Sequence, residues 1–244
     1  MGNADPLGRH GVNATTEWGQ EQHDHRAQAE SLEYFVGVDL GQANDYTAIS
    51  VVHRLRTLTG PPEEGGKMQT TYDLHYLNRV PLGTRYPAII RGVQHLLSGA
   101  PLSEDSPLVV DRTGVGVAVV DMFREAGLRP QAITIHGGDT VAREHSHHRV
   151  PKRDLAGTLV SLYQSQRLRV ARGEELVDVL TEELLNFKPR INIATGHDSY
   201  EAWRESIHDD LVLSVAMACW FAENQPRGVW EETDPDADAR PWLD

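Results

Sequence analysis

The chain has one cysteine, Cys219, in 244 residues. That leaves no intrachain disulfide and no thiolate zinc cluster, and such usage fits a reducing cytosol. Long hydrophobic runs are also missing. The longest, Leu211 to Ala222, is broken by Ser214 and is too short to span a bilayer, so no membrane partner is expected. The N-terminus has no apolar stretch of the kind a signal peptide needs. No GxxxxGK[ST] phosphate loop occurs: Gly60 to Lys67 has the wrong spacing, and Met68 follows the lysine. No internal repeat is found.

Positive charge is scarce. Lys and Arg number 23 against 36 Asp and Glu, a formal net charge of −13. Such a balance argues at first against a nucleic-acid partner, but its distribution softens the objection. Residues 1–33 carry −4 and residues 231–244 carry −5, which leaves only −4 for the centre. The length allows one domain with tails. The polar, aperiodic stretch 1–31 reads as a mobile tail, 32–225 as the folded domain, and 226–244 as an acidic tail. His23-Asp24-His25 reads as part of the solvated tail.

The chain is organised around Tyr34 to Ser50, YFVGVDLGQANDYTAIS. Residues 34–41 and 46–54 predict two strands, and 70–79 predicts a third, with Tyr72, Leu74, Tyr76 and Val80 nearly alternating. Short connections make these an antiparallel meander. Helical spacing follows over 86–97, then a short apolar strand, Leu108 to Asp111, and a helix over 117–126. A strand at 132–136, a helix at 153–166, a small strand at 168–170 and a helix at 174–187 complete the middle. Residues 191–195 and 199–203 predict a hairpin, and 209–223 a last helix. The fold class is therefore mixed α/β, a meander plus parallel strands flanked by helices.

Three acidic positions stand out. Asp39 ends the first strand, Asp111 ends LVVD, and Asp209-Asp210 opens the apolar last helix. A carboxylate at the end of a buried strand must meet a metal, a cation or water. Each acid also has an ordinary use: a turn before Gly41, a cap before Thr113, an N-cap for the last helix. Taken together, they are the oxygen donors that Mg2+ or Mn2+ prefers. Two such ions clamp a phosphodiester between an attacking and a leaving oxygen.

This order resembles the ribonuclease H-like superfamily, and within it the nuclease domain of phage terminase large subunits, which cut concatemeric DNA during packaging. The resemblance rests on VGVDLGQANDYTAI around residues 37–49, LVVDRTGVG at 108–116, VPKRDL at 150–155 and HDDLVLSVAMACW at 208–220. It implies a two-metal DNA endonuclease with Asp39, Asp111 and either Asp210 or Asp209 as catalytic metal ligands, and Asp45 as an accessory one. It implies double-stranded DNA as substrate, with Lys152, Arg153 and Arg149 on its phosphates. Partners would be a separate packaging ATPase, since the phosphate loop is missing here, a small terminase subunit or the portal, all in the host cytoplasm. His208 beside the acidic pair is either an accessory ligand or proton shuttle, or merely a residue preceding a cap. His145, His147 and His148 read as a solvated loop, and Thr113 to Gly116 either as a tight strand-to-helix turn or as a stretch that admits close backbone approach to phosphate. A junction resolvase, an actin-like or sugar-kinase ATPase and an inactive packaging adaptor share parts of the pattern.

Overall fold

The computed structural model describes residues 29–41, 45–59, 66–103, 105–114, 116–170, 175–187 and 208–225. The expected tails (apart from the start of the first strand), the loop at 60–65 and the hairpin at 191–203 lie outside the described residues.

Three long strands come first: β1 (Ala29–Asp39), β2 (Thr47–Thr59) and β3 (Lys67–Val80). Helix α1 (Tyr86–Leu97) leads to β4 (Leu108–Asp111), α2 (Gly116–Glu125) and β5 (Pro130–His136). Then come β6 (Ala142–Glu144), β7 (His147–Pro151), α3 (Lys152–Gln164), β8 (Leu168–Val170), α4 (Glu175–Asn186) and α5 (Asp210–Asn224). All eight strands form one sheet in the order β6-β7-β5-β4-β1-β2-β3-β8. The β1-β2-β3 meander is antiparallel, while β4 runs parallel to β1, β5 to β4 and β7 to β5. A meander continued by parallel crossovers is the ribonuclease H-like arrangement that the motifs imply.

The period of two along β1 sorts its side chains between two cores. Phe35 packs with α3, α4 and α5 on one face. Tyr34, Val36 and Val38 pack with α1 and α2 on the other. Asp39 therefore shares the α5 face. Every residue of α5 from Asp210 to Ala222 is buried, because the helix lies between the sheet on one side and α3 and α4 on the other. An all-round buried helix needs no polar stripe, which explains its continuous apolar sequence.

Two expectations are corrected. Residues 142–151 are not a solvated loop but a hairpin on the sheet edge, turning at His145 (φ 51°) and Ser146. His148 is buried there, 6.0 Å from the Trp220 ring and 5.6 Å from that of Phe221. The alternation of β3 is also interrupted. Its register slips by one residue at His75, opposite Val51 and Val52. Tyr72 and Leu74 therefore face α5, but Tyr76 and Val80 face α1, while Leu77 returns to the α5 side. A bulge of this kind re-aims the side chains beyond it, and here it turns Arg79 towards α5.

Candidate active site

Asp39 and Asp111 end neighbouring parallel strands. Val38 is in register with Val110, so the next residue on each strand places the two carboxylates side by side. Both residues are buried. The carboxyl edge of a parallel sheet is where α/β sites form. Asp111 Oδ1 also accepts a 2.7 Å bond from the Thr113 amide, so its turn-capping use is real as well.

Helix α5 reaches this edge because Gly37 lets it. A Cβ on Gly37 would lie 2.0 Å from the Ser214 carbonyl oxygen. The backbones of β1 and α5 therefore touch, and Asp209 and Asp210 begin α5 one turn from that contact, next to Asp39. Burial first, then the charges of Asp111, Asp209 and Asp210, and last a hydrogen bond with Asp111 hold the Asp39 carboxyl well above the usual carboxylate range. Two buried carboxylates placed side by side repel each other, so ionising both is unfavourable without a cation.

The helix-start acids are held differently. Asp210 Oδ2 accepts from Arg79 Nε at 2.8 Å, and Arg79 also pairs with Glu183 of α4. Asp209 Oδ2 accepts from Lys152 Nζ at 2.6 Å. Neither acid caps α5 in the expected way: Asp209 makes no side-chain cap bond. Glu183 does that instead, its Oε2 accepting from the Val212 amide at 3.0 Å. Burial raises the Asp210 carboxyl, with Arg79 opposing. Burial, against the Val212 bond, pushes Glu183 up to about 7. The Arg79 guanidinium lies 4.8 Å over the Tyr46 ring, whose edge contact with His208 is 5.4 Å. His208 Nδ1 is 3.7 Å from Asp210 Oδ1.

Asp39, Asp111, Asp209 and Asp210 are thus brought together, and His208 stands beside them. Asp45 is exposed at the bend before β2, with its backbone carbonyl against Gly41. Lys152 is engaged with Asp209, and Arg153 with Asp139 at 2.5 Å. Arg149 is exposed on β7. Arg79 and Glu183 are site residues that sequence reasoning missed. Glu183 did leave a trace: it interrupts the apolar stripe Leu176, Val179, Leu180, Leu184, Phe187 of α4. Arg79 left none, since its orientation depends on the bulge.

The donor set suits a hard divalent ion in one respect. A buried pair of mutually repelling carboxylates gains most from a cation. Its third side differs, because the helix acids already have cations of their own. Among the described residues, no three His, Cys, Asp or Glu side chains come together to bind an ion as they stand.

The strand order gives a ribonuclease H-like α/β arrangement with Asp39 and Asp111 side by side at one edge and the acids that start α5 close by. Among solved structures, the chain is similar in fold to the large terminase nuclease from the thermophilic phage G20c, whose crystal structure is known. The two are 19% identical with a TM-score of 0.49, over 78% of this chain and 83% of that one. No protein-family model and no curated protein matches the chain. No helix among the described residues is long and apolar enough to cross a membrane.

Proposed function

We propose that the chain is a metal-dependent DNA endonuclease of the terminase-nuclease kind, working beside a packaging ATPase. The carrying observation is the buried Asp39–Asp111 pair, set side by side at the carboxyl edge of the sheet. Asp39 and Asp111 would hold Mg2+ or Mn2+, with Asp210 or Asp209 on the third side. Such ions, when bound, supply an activated water and stabilise the leaving oxygen of a phosphodiester. Arg79 and Glu183 orient Asp210, and Lys152 orients Asp209. His208 is placed to pass a proton at the exposed rim. Duplex DNA is the substrate, and Arg149 is the exposed cation best placed for its phosphates. The small terminase subunit and the portal are the other partners of this reading, in the host cytoplasm.

One observation favours the inactive packaging adaptor as a second reading: Arg79 and Lys152 already neutralise both helix acids. The discriminating experiment incubates the chain with supercoiled plasmid and Mg2+ or Mn2+, beside Asp39→Asn and an EDTA control. Thermal unfolding with and without Mn2+ runs alongside. Nicking, together with a Mn2+-dependent rise in melting temperature that Asp39→Asn abolishes, is the expected result. Neither cutting nor a metal-induced shift would leave the adaptor.

A further inference from the structure

A second charged surface lies on the face of the sheet away from α5. Ile133 and Ile135 of β5 pack on the α5 side, as do His148 and Val150 of β7. Thr134, His147 and Arg149 therefore face the other way, and Thr134 and Arg149 are register partners. Arg112 leaves the end of β4 towards them. Its Nη1 donates to His147 Nε2 at 3.1 Å, and the Thr134 hydroxyl lies 2.9 Å from the same nitrogen. With Nε2 accepting, the ring hydrogen sits on Nδ1.

The surface is unusual in what it omits. Elsewhere the interior cations have carboxylates: Arg54 has Glu33, Arg79 has Asp210 and Glu183, Lys152 has Asp209, and Arg169 has Asp73. Among the described residues no carboxylate pairs with Arg112 or Arg149. Glu144, the exposed register partner of His147, is the carboxylate that acts on the ring. Burial, then Arg112, then Arg149 outweigh it and lower the His147 pKa, so the ring stays neutral. Arg124 of α2 borders the surface near Ser146 but is paired with Asp121. In a protein of net charge −13, two guanidiniums acting on one imidazole, neither paired with a carboxylate among the described residues, form a place for an anion, and planar guanidiniums suit phosphate.

We propose that Arg112 and Arg149, with His147 and Thr134 holding Arg112 in place, form the track that grips the DNA phosphate backbone beside the acid edge. The proposal rests on the endonuclease reading and moves the phosphate contacts off Lys152 and Arg153, which are engaged with Asp209 and Asp139. Arg112 directly follows Asp111 and leaves the strand on the opposite face, so the track lies just across the sheet edge from the acids.

The test measures binding of a short labelled duplex by fluorescence anisotropy, in EDTA, across a range of KCl. Arg112→Gln, Arg149→Gln and the double variant are compared with wild type. Arg129→Gln, an exposed cation at the opposite end of β5, controls for general charge. Each track variant should lower the slope of log affinity against log salt by about one, and the double variant by about two. Arg129→Gln should leave the slope unchanged. Arg149→Gln removes no bond within the described residues, so its result stands even if Arg112→Gln disturbs the fold. A double variant with the wild-type slope, or a loss as large in Arg129→Gln, overturns the track. Wild type that binds the duplex but does not cut plasmid in Mn2+ overturns the endonuclease and leaves the track. Wild type that does neither overturns both.

Discussion

The strand-end acids and the helix-start acids occupy one site but are stabilised in opposite ways. Asp39 and Asp111 sit at the ends of rigid neighbouring strands and repel each other. Asp209 and Asp210 each lean on a cation, Lys152 and Arg79, brought by α3 and β3. The first pair stores repulsion and the second is neutralised. The difference shows which part of the site asks for an added cation and which part the fold completes by itself.

The largest effect should come from separating the two pairs. Gly37→Ala drives a methyl into the Ser214 carbonyl and should lower stability by about 3 kcal/mol, with loss of cutting; urea unfolding measures the first and plasmid nicking the second. Next comes a contrast of sign. Asp210→Asn leaves part of the Arg79 charge uncompensated in a mostly buried place and should cost about 2 kcal/mol. Asp39→Asn removes a desolvated, repelled carboxylate and should raise the unfolding midpoint at pH 8 while abolishing cutting. If both substitutions shift the midpoint in the same direction, the comparison fails.

A pH series sharpens the same contrast. Glu183 holds its proton up to about 7 in the folded chain, against 4.5 for an ordinary glutamate. Between those values the folded state binds more protons than the unfolded one. Its contribution is thus full below pH 4.5 and lost as pH rises through about 7. Urea midpoints should fall from pH 5 to pH 8, and Glu183→Gln should flatten that fall. The smallest effect belongs to His208→Ala. Its ring is half-exposed and 3.7 Å from Asp210, so stability should move by no more than about 0.5 kcal/mol, as thermal melts would show. A shift in the pH profile of cutting is the sign of proton transfer there.

The strands that carry Asp39 and Asp111 were legible because Val, Ile and Phe precede each acid at strand spacing. Helix α5 was legible from its apolar run, and Asp209-Asp210 from their place at its start. The β6–β7 hairpin was not, since β6 at the sheet edge is exposed throughout and the inward His148 and Val150 of β7 are two positions among Arg and His. The cations on the acids were illegible for another reason. Lys152 read as a DNA-facing or solvated side chain and Arg79 carried no signal, until tertiary packing and a one-residue bulge aimed them inward.

Helix α5 also governs when the acid cluster is complete. Its contacts reach far back along the chain: Arg54 on β2 binds the Ala222 carbonyl across 168 positions. Pairings of that separation form late, because loop closure is unfavourable until many contacts reward it. The meander and the parallel strands can assemble as the chain emerges, yet Asp39 and Asp111 wait without their third side until α5 docks over Gly37. A growing chain of this protein carries half a site, and on the endonuclease reading cutting switches on only with the last packing step of the described core.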